Sequence, residues 1–142
     1  MSGSKSDYLE AVILNGFLGG TAIVVPSSVY IALSLAAYAD SATGTAMTEV
    51  SFSSTGYTRV AVGNNTTNWP AATGTNPTTK TSGAAFTFPT ATGSWGTILA
   101  FYICDAASGG NVLYGADLSA SKTVNTGDTA TFAQGQITVT ED

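Results

Sequence analysis

The amino-acid sequence predicts a mainly β protein, a single-domain antiparallel β-sandwich of jelly-roll-like type with one short N-terminal α-helix. Three observations support this fold class. Short runs of β-branched and aromatic residues recur along the chain, turn residues separate them, and a convincing helical period occurs only near the amino end. At 142 residues the chain has the length of one domain, so we assign residues 1–142 to a single unit.

Residues 1–20 are predicted to form an N-terminal arm whose helix covers residues 6–18. Ser6 can cap the first turn, and a Gly-Gly pair ends the helix. Apolar side chains recur at the spacing of one buried stripe. A helix this short needs tertiary contacts, so we expect the stripe to cover an opening of the sheet or to contact a partner subunit. The candidate subunit contacts are Leu9, Ile13 and Phe17.

The first strands are predicted from runs of β-branched residues at 23–25 and 29–36. Both faces of the run 29–36 are largely apolar, so we expect a central strand covered on both sides, with a helix as the main alternative. Residues 48–52 and 57–62 predict two more short strands, joined as a hairpin.

Arg59 lies inside the last of these strands, beside aromatic and aliphatic neighbours that would bury its stem. A desolvated guanidinium needs a carboxylate or several carbonyl oxygens as partners. We therefore predict a structural ion pair between Arg59 and Glu49, and prefer this role to a catalytic one.

Residues 63–83 are predicted to be a long surface loop, because they are rich in Asn and Thr and contain one large apolar residue, Trp69. We favour Trp69 as an anchor that holds the loop to its own domain. The alternative is a contact with a sugar ring or a neighbouring subunit. The candidate partner or glycan contacts are Trp69, Asn64, Asn65 and Asn68.

The second half of the chain is predicted to be built around a hairpin. Apolar runs at 97–104 and 111–118 flank the connector DAASGG, whose glycines allow a tight reversal. Further short strands are expected at 84–88, 129–133 and 136–140. The residues of this region expected in the core are Trp95, Ile98, Phe101, Ile103, Val112 and Leu113.

Composition excludes several classes of function. Charged residues make up 9% of the chain and the formal net charge is −5, which disfavours binding to nucleic acid or to an anionic membrane. The uncharged stretch 11–39 is predicted to be buried core and not a membrane span, because Pro26 and two serines interrupt it.

The residue types that carry catalysis are scarce. Histidine is absent, which removes the commonest general base and metal ligand. Asp105, Asp117 and Asp128 lie at turns or strand ends, where Asp is ordinary, and Cys104 lies within an apolar run. We therefore expect no enzyme activity, no catalytic residue, no metal and no cofactor.

Three stretches of the sequence resemble small structural proteins of tailed bacteriophages and prophages. They are LNGFLGGTAIVVPSSVYIALS, then TEVSFSSTGYTRVAV, and finally residues 88–142, which begin FPTATGSWGT and include WGTILAFYICDAASGGNVLYGADL. Together they cover most of the chain apart from residues 64–83. Each stretch is of low complexity, and it is their order that carries the resemblance.

The resemblance implies a virion component without catalytic activity, assembled in the bacterial host cytoplasm. We expect a capsid decoration (cement) protein that binds the major capsid protein and copies of itself as a homotrimer. The alternative is a tail-fibre or tail-tip module that contacts a host-surface glycan.

Overall fold

A seven-stranded β-sheet forms most of the structure, a computed structural model that describes residues 2–142. One helix precedes most of the strands, so the predicted mainly β class with an N-terminal helix is confirmed. The elements are β1 Ser2–Lys5, α1 Asp7–Gly19, β2 Ser28–Ser34, β3 Val60–Gly63, β4 Thr78–Thr81, β5 Phe86–Thr87, β6 Gly96–Cys104, β7 Val112–Val124, β8 Thr131–Phe132 and β9 Thr138–Glu141.

The strand order of the large sheet is β3-β2-β6-β7-β1-β9-β4. Its pairs are antiparallel except for β1 and β9, which run parallel. The N-terminal strand β1 therefore lies between β7 and β9 and joins the two parts of the sheet. The sequence analysis did not predict β1, because Ser-Gly-Ser-Lys contains no apolar residue and has no strand pattern.

The β6–β7 hairpin is confirmed, and it is longer than predicted. Pairing extends from Cys104 opposite Val112 to Gly96 opposite Val124, with an irregularity between Ile98 and Ala100. Of the six residues predicted for the core here, five are buried and Leu113 is half-buried. The strand predicted at 29–36 is also confirmed as β2, which pairs on both sides, with β3 and β6.

The second layer is a two-stranded ribbon made by β5 and β8. Its aromatic rings join the core of the large sheet, since Phe132 lies edge-on to Phe101 with ring centroids 5.6 Å apart. Phe88, just after β5, stacks on Tyr57 at 6.1 Å. The two layers are thus unequal in size but share one hydrophobic core.

Three predicted details are wrong. The hairpin of 48–52 with 57–62 does not form: β3 pairs with β2, and residues 48–50 also bond to β2, through Leu35 N to Thr48 O and Val50 N to Leu33 O. Residues 48–50 lie along the edge of β2 beyond the end of β3, and these bonds satisfy their main-chain groups. Residues 23–25 form no strand, and the loop at 63–83 contains β4, which pairs with β9.

Adjacent residues of β6 give a direct test of which face of the strand, at this point, packs into the core shared with the β5–β8 ribbon; further along, Ala100, Tyr102 and Cys104 form a second buried cluster. Ile98 is 1% exposed and Leu99 is 37% exposed. We expect Ile98→Ala to lower the free energy of unfolding by about 2–5 kcal/mol, because a cavity replaces packed atoms. Leu99→Ala serves as the matched control and should cost under about 1 kcal/mol. Urea denaturation measures both; equal losses would contradict the assigned face.

Candidate interaction surface

Helix α1 begins and ends as predicted but buries none of its residues. Ser6 caps it by accepting a hydrogen bond from Leu9 N at 3.2 Å, and Gly20 ends it with a φ of 70°. The sheet does not bury the predicted stripe, because Leu9 and Ile13 are only half-buried and Phe17 is 79% exposed; its contact with a partner subunit stays a prediction. The physical reason is that the helix is apolar on most of its circumference, while the sheet covers one side of it.

The segment that follows the helix is exposed and apolar as well. Residues 20–26 fold back along α1, with Thr21 N donating to Asn15 O at 3.0 Å and Ile23 packed against Gly16. A Cβ at Gly16 would lie 2.5 Å from the Ile23 side chain, so a larger residue there would make that side chain move. We call the exposed apolar set the N-terminal surface: Leu14, Phe17, Leu18, Ile23, Val24 and Val25.

A groove of about 730 Å³ lies between α1, the segment 23–26 and the large sheet. Its lining is mostly apolar and includes Leu9, Ile103 and Tyr114. The charged residues that line it include Lys80 and Glu141. Glu141 accepts a bond from Lys5, which ties β1 to β9 next to the groove. The groove is continuous with the N-terminal surface through Ile23, Val24 and Val25, which line it too.

The structure places Trp69 and Asn64 in the lining of this same groove, and gives the loop residues structural partners. Trp69 is 7% exposed, and its ring lies 5.4 Å from that of Phe86, which is the geometry of an anchor. Asn65 Oδ1 accepts from the main chain of Thr67 and Asn68, each at 3.0 Å. A glycan contact at these residues stays a prediction, and a buried Trp69 offers a sugar little ring surface.

The second predicted site, Arg59, connects three separate parts of the chain. The structure brings it together with Glu49: Nε and Nη2 donate to the two carboxylate oxygens, each at 2.8 Å. Nη1 donates to Ala106 O at 2.7 Å and to Gly109 O at 3.0 Å, both in the β6–β7 turn. Nη2 also donates to Gly44 O at 3.1 Å. All five N–H groups of the guanidinium are therefore used.

Neighbouring residues complete the Arg59 site. Tyr57 donates its hydroxyl proton to Glu49 Oε1 at 2.8 Å and accepts from Leu33 N at 2.9 Å. Burial raises the pKa of Tyr57, with the Glu49 charge acting in the same direction. Burial would lower the pKa of Arg59, but its hydrogen bonds to Glu49 outweigh this and the pKa is raised. Arg59 therefore keeps its positive charge at any physiological pH.

Gly44 shows how closely this site is packed. A Cβ there would lie 1.9 Å from Gly109 O, so only glycine lets the loop approach the β6–β7 turn. The same approach allows Gly44 N to donate to Gly110 O at 3.1 Å. The sequence analysis found the Arg59–Glu49 pair but missed these carbonyl partners, because no local pattern predicts which loops meet.

The side chains considered for chemistry have structural roles. Asp105, Asp117 and Asp128 each accept a hydrogen bond from a main-chain N–H, at 2.7, 2.7 and 2.9 Å respectively. Cys104 is fully buried, and burial raises the pKa of its thiol to about 12. Within residues 2–142, no three His, Cys, Asp or Glu side chains are grouped so as to hold a metal.

In the part of the chain that the structure describes, no helix is both long and apolar enough to cross a bilayer.

A family model described as podophage GP4 fiber I protein gp80 matches residues 4–140. The chain belongs to this family. Membership of the Gp80 family makes the protein a fibre-type structural protein of a phage and associates it with the virion. The resemblance to phage structural proteins is therefore confirmed. No curated protein matches the chain.

For this Gp80-family protein, Arg59 should be required for stability. We expect Arg59→Gln to lower the free energy of unfolding by about 3–5 kcal/mol, because it leaves Glu49 and three carbonyl groups without their partner. Lys122→Gln removes an exposed cation and should change it by about 0.5 kcal/mol or less. Chemical denaturation at neutral pH compares them; a loss in Arg59→Gln no larger than the control would refute the structural role.

Alkaline pH should destabilise the Gp80-family protein through Cys104. The thiol pKa rises from 9.0 to about 12 on folding, so its contribution is complete below pH 9 and is lost as pH rises toward 12. One proton corresponds to about 1.4 kcal/mol per pH unit in this window.

The measurement is the free energy of unfolding against pH for the wild type and Cys104→Ala. The variant should show a shallower fall between pH 9 and 12, the window set by the two pKa values of the thiol. Tyr57 remains in both proteins, so its own contribution cancels in the comparison. Identical slopes would mean that the thiol is not buried as described.

Proposed function

We propose that the protein is a non-enzymatic component of a virion fibre, assembled in the bacterial cytoplasm and attached to its neighbours through the N-terminal surface. The observation that carries this proposal is the exposed apolar set on a member of a fibre family. Phe17 is 79% exposed and Val24 is 87% exposed, on adjacent segments. Contiguous apolar area of this kind on a protein surface marks a site of association.

The chemistry of the described residues supports a passive role. Two buried ionisable groups, the Arg59 guanidinium and the Tyr57 hydroxyl, are both bonded to Glu49 and to main-chain groups. Groups committed to structure in this way are poor candidates for proton transfer. Binding to neighbouring virion proteins would then stabilise the assembly by mass action alone.

Capsid decoration is the second candidate function. It is favoured by the sequence of these residues, which shows no internal repeat, whereas fibre shafts are repetitive. In this case the N-terminal surface would contact the major capsid protein, and added interface would raise the free energy of capsid disassembly.

Locating the protein on virions distinguishes the two functions. We expect antibody-gold labelling of purified particles to mark fibres; labelling across the head would instead favour decoration. Absence of label from intact particles would contradict both.

Incorporation into particles tests the attachment surface. We expect the double variant Val24→Asp, Val25→Asp to fold but to be lost from particles, because two desolvated carboxylates oppose the contact. Ala120→Asp adds an exposed charge elsewhere and should be incorporated normally. Equal incorporation of both variants would exclude the N-terminal surface as the attachment site.

A further inference from the structure

A second cleft, of about 480 Å³, lies between the large sheet and the β5–β8 ribbon, and we call it the β7–β8 cleft. Residues 118–122 of β7 form one wall, and residues 129–132, which include β8, form the other. Neighbouring side chains of a strand point to opposite faces, so a wall of consecutive residues presents main-chain groups to the cleft. The floor is apolar and includes the core residues Leu33, Phe88 and Ile98.

The β7 wall is a stretch of strand with few ladder partners. Residues 98 and 100 of β6 lie opposite residues 122 and 117 of β7, so Leu99 is the single β6 residue opposite residues 118–121. On its other edge, β7 pairs with β1 at residues 114 and 115, before this stretch begins. Most N–H and C=O groups of residues 118–121 therefore have no ladder partner within residues 2–142, and a further strand can pair with them.

Strand β8 also has a free edge, and it lies on the cleft. β8 pairs with β5 alone, and β5 itself does not line the cleft. Phe88 N donates to Ala130 O at 2.9 Å, so Ala130 directs its main-chain groups to the β5 side. These groups alternate between the two edges of an antiparallel strand, so those of Thr129 and Thr131 point to the other edge. The cleft thus lies between two strand edges that can each accept a strand.

The charge of the cleft indicates what kind of strand fits. Of the charged residues that the structure describes, only Lys122 lines it. Within residues 2–142, the Lys122 ammonium has no carboxylate or other hydrogen-bond partner. An acidic side chain on the occupant would supply that partner.

We propose that the β7–β8 cleft receives an extended segment of another virion protein, which pairs as a β-strand with the free edges of β7 and β8. Main-chain hydrogen bonds give such a strand its affinity. An apolar side chain of the segment lies on the cleft floor, and an acidic one lies at Lys122. A second copy is a poor donor, because its own acidic strand β9 is already paired on both edges, with β1 and β4.

The proposal rests on the virion role in the proposed function but uses a different surface. The groove beside α1 is lined by Ile103 and Leu113, and the cleft by Ile98 and residues 118–122, so they adjoin opposite ends of the β6–β7 hairpin. Attachment through the N-terminal surface therefore leaves the cleft open. Variants in the cleft, Ala120→Asp included, should still be incorporated into particles, so the two proposals fail independently.

A proline substitution tests the strand pairing. Thr131→Pro removes an N–H that points to the cleft and keeps the bonds to β5. We expect particles with this variant to keep the protein itself and to lose another virion protein about 10-fold, because a carbonyl of the docked strand is left unpaired. Quantitative mass spectrometry of purified particles measures both. Particles of wild-type composition would overturn the proposal.

The matched control is Thr131→Val, which keeps the N–H and should leave the composition of particles unchanged. Loss of the same virion protein in both variants would overturn strand pairing, because it would assign the contact to the threonine side chain.

Hydrogen exchange gives a reading that needs no variant. We expect the amides of residues 119–121 and of Thr131 to exchange about 10-fold or more slowly in wild-type particles than in the isolated protein. Equal exchange in the two samples would overturn the proposal. Protection that appears in the isolated protein as its concentration rises would also overturn it, since the occupant would then be a second copy.

Discussion

The buried Arg59 guanidinium is the contact on which one end of the domain depends. It holds Glu49, the loop at Gly44 and the β6–β7 turn at Ala106 and Gly109 in one network. None of these segments is a regular strand at the point of contact, so their main-chain groups need partners other than a sheet. One planar, permanently charged group supplies five donors, which lysine could not do.

The part of the sheet around β1, away from the Arg59 network, is held together in a different way. Where β7, β1 and β9 meet, the contacts are main-chain ladders, one ion pair of Lys5 with Glu141, and half-buried side chains. The large core of aromatic rings, by contrast, lies between the sheet and the β5–β8 ribbon. The domain therefore combines a part fixed by side-chain packing with an arm fixed largely by the backbone.

The sequence predicted the parts of the fold whose signals are local. The β6–β7 hairpin has long apolar runs around a glycine-rich turn, and α1 has a capping serine and a terminal glycine. The helix was therefore predicted nearly to the residue, and the hairpin in all but the length of its second strand. The Arg59–Glu49 pair was found because a buried cation must be compensated. Strand β1 and the pairing of residues 48–50 with β2 were missed, because their hydrogen bonds are made between distant segments and leave no pattern in side-chain type.

The run at 23–25 failed as a prediction for a reason that bears on assembly. Its β-branched residues were assigned to a strand and the surrounding stretch to buried core, yet Val24 and Val25 are exposed beside Phe17 and Leu18. The apolar pattern of a sequence reflects burial in the functional assembly. For a component of a virion, that assembly contains neighbouring chains as well as the single copy. Exposed apolar side chains of this number lower the solubility of a separate chain. A neighbouring chain that covers them would remove this disadvantage. The difference between the expected core and the observed surface thus supports the proposal that the N-terminal surface is a site of contact.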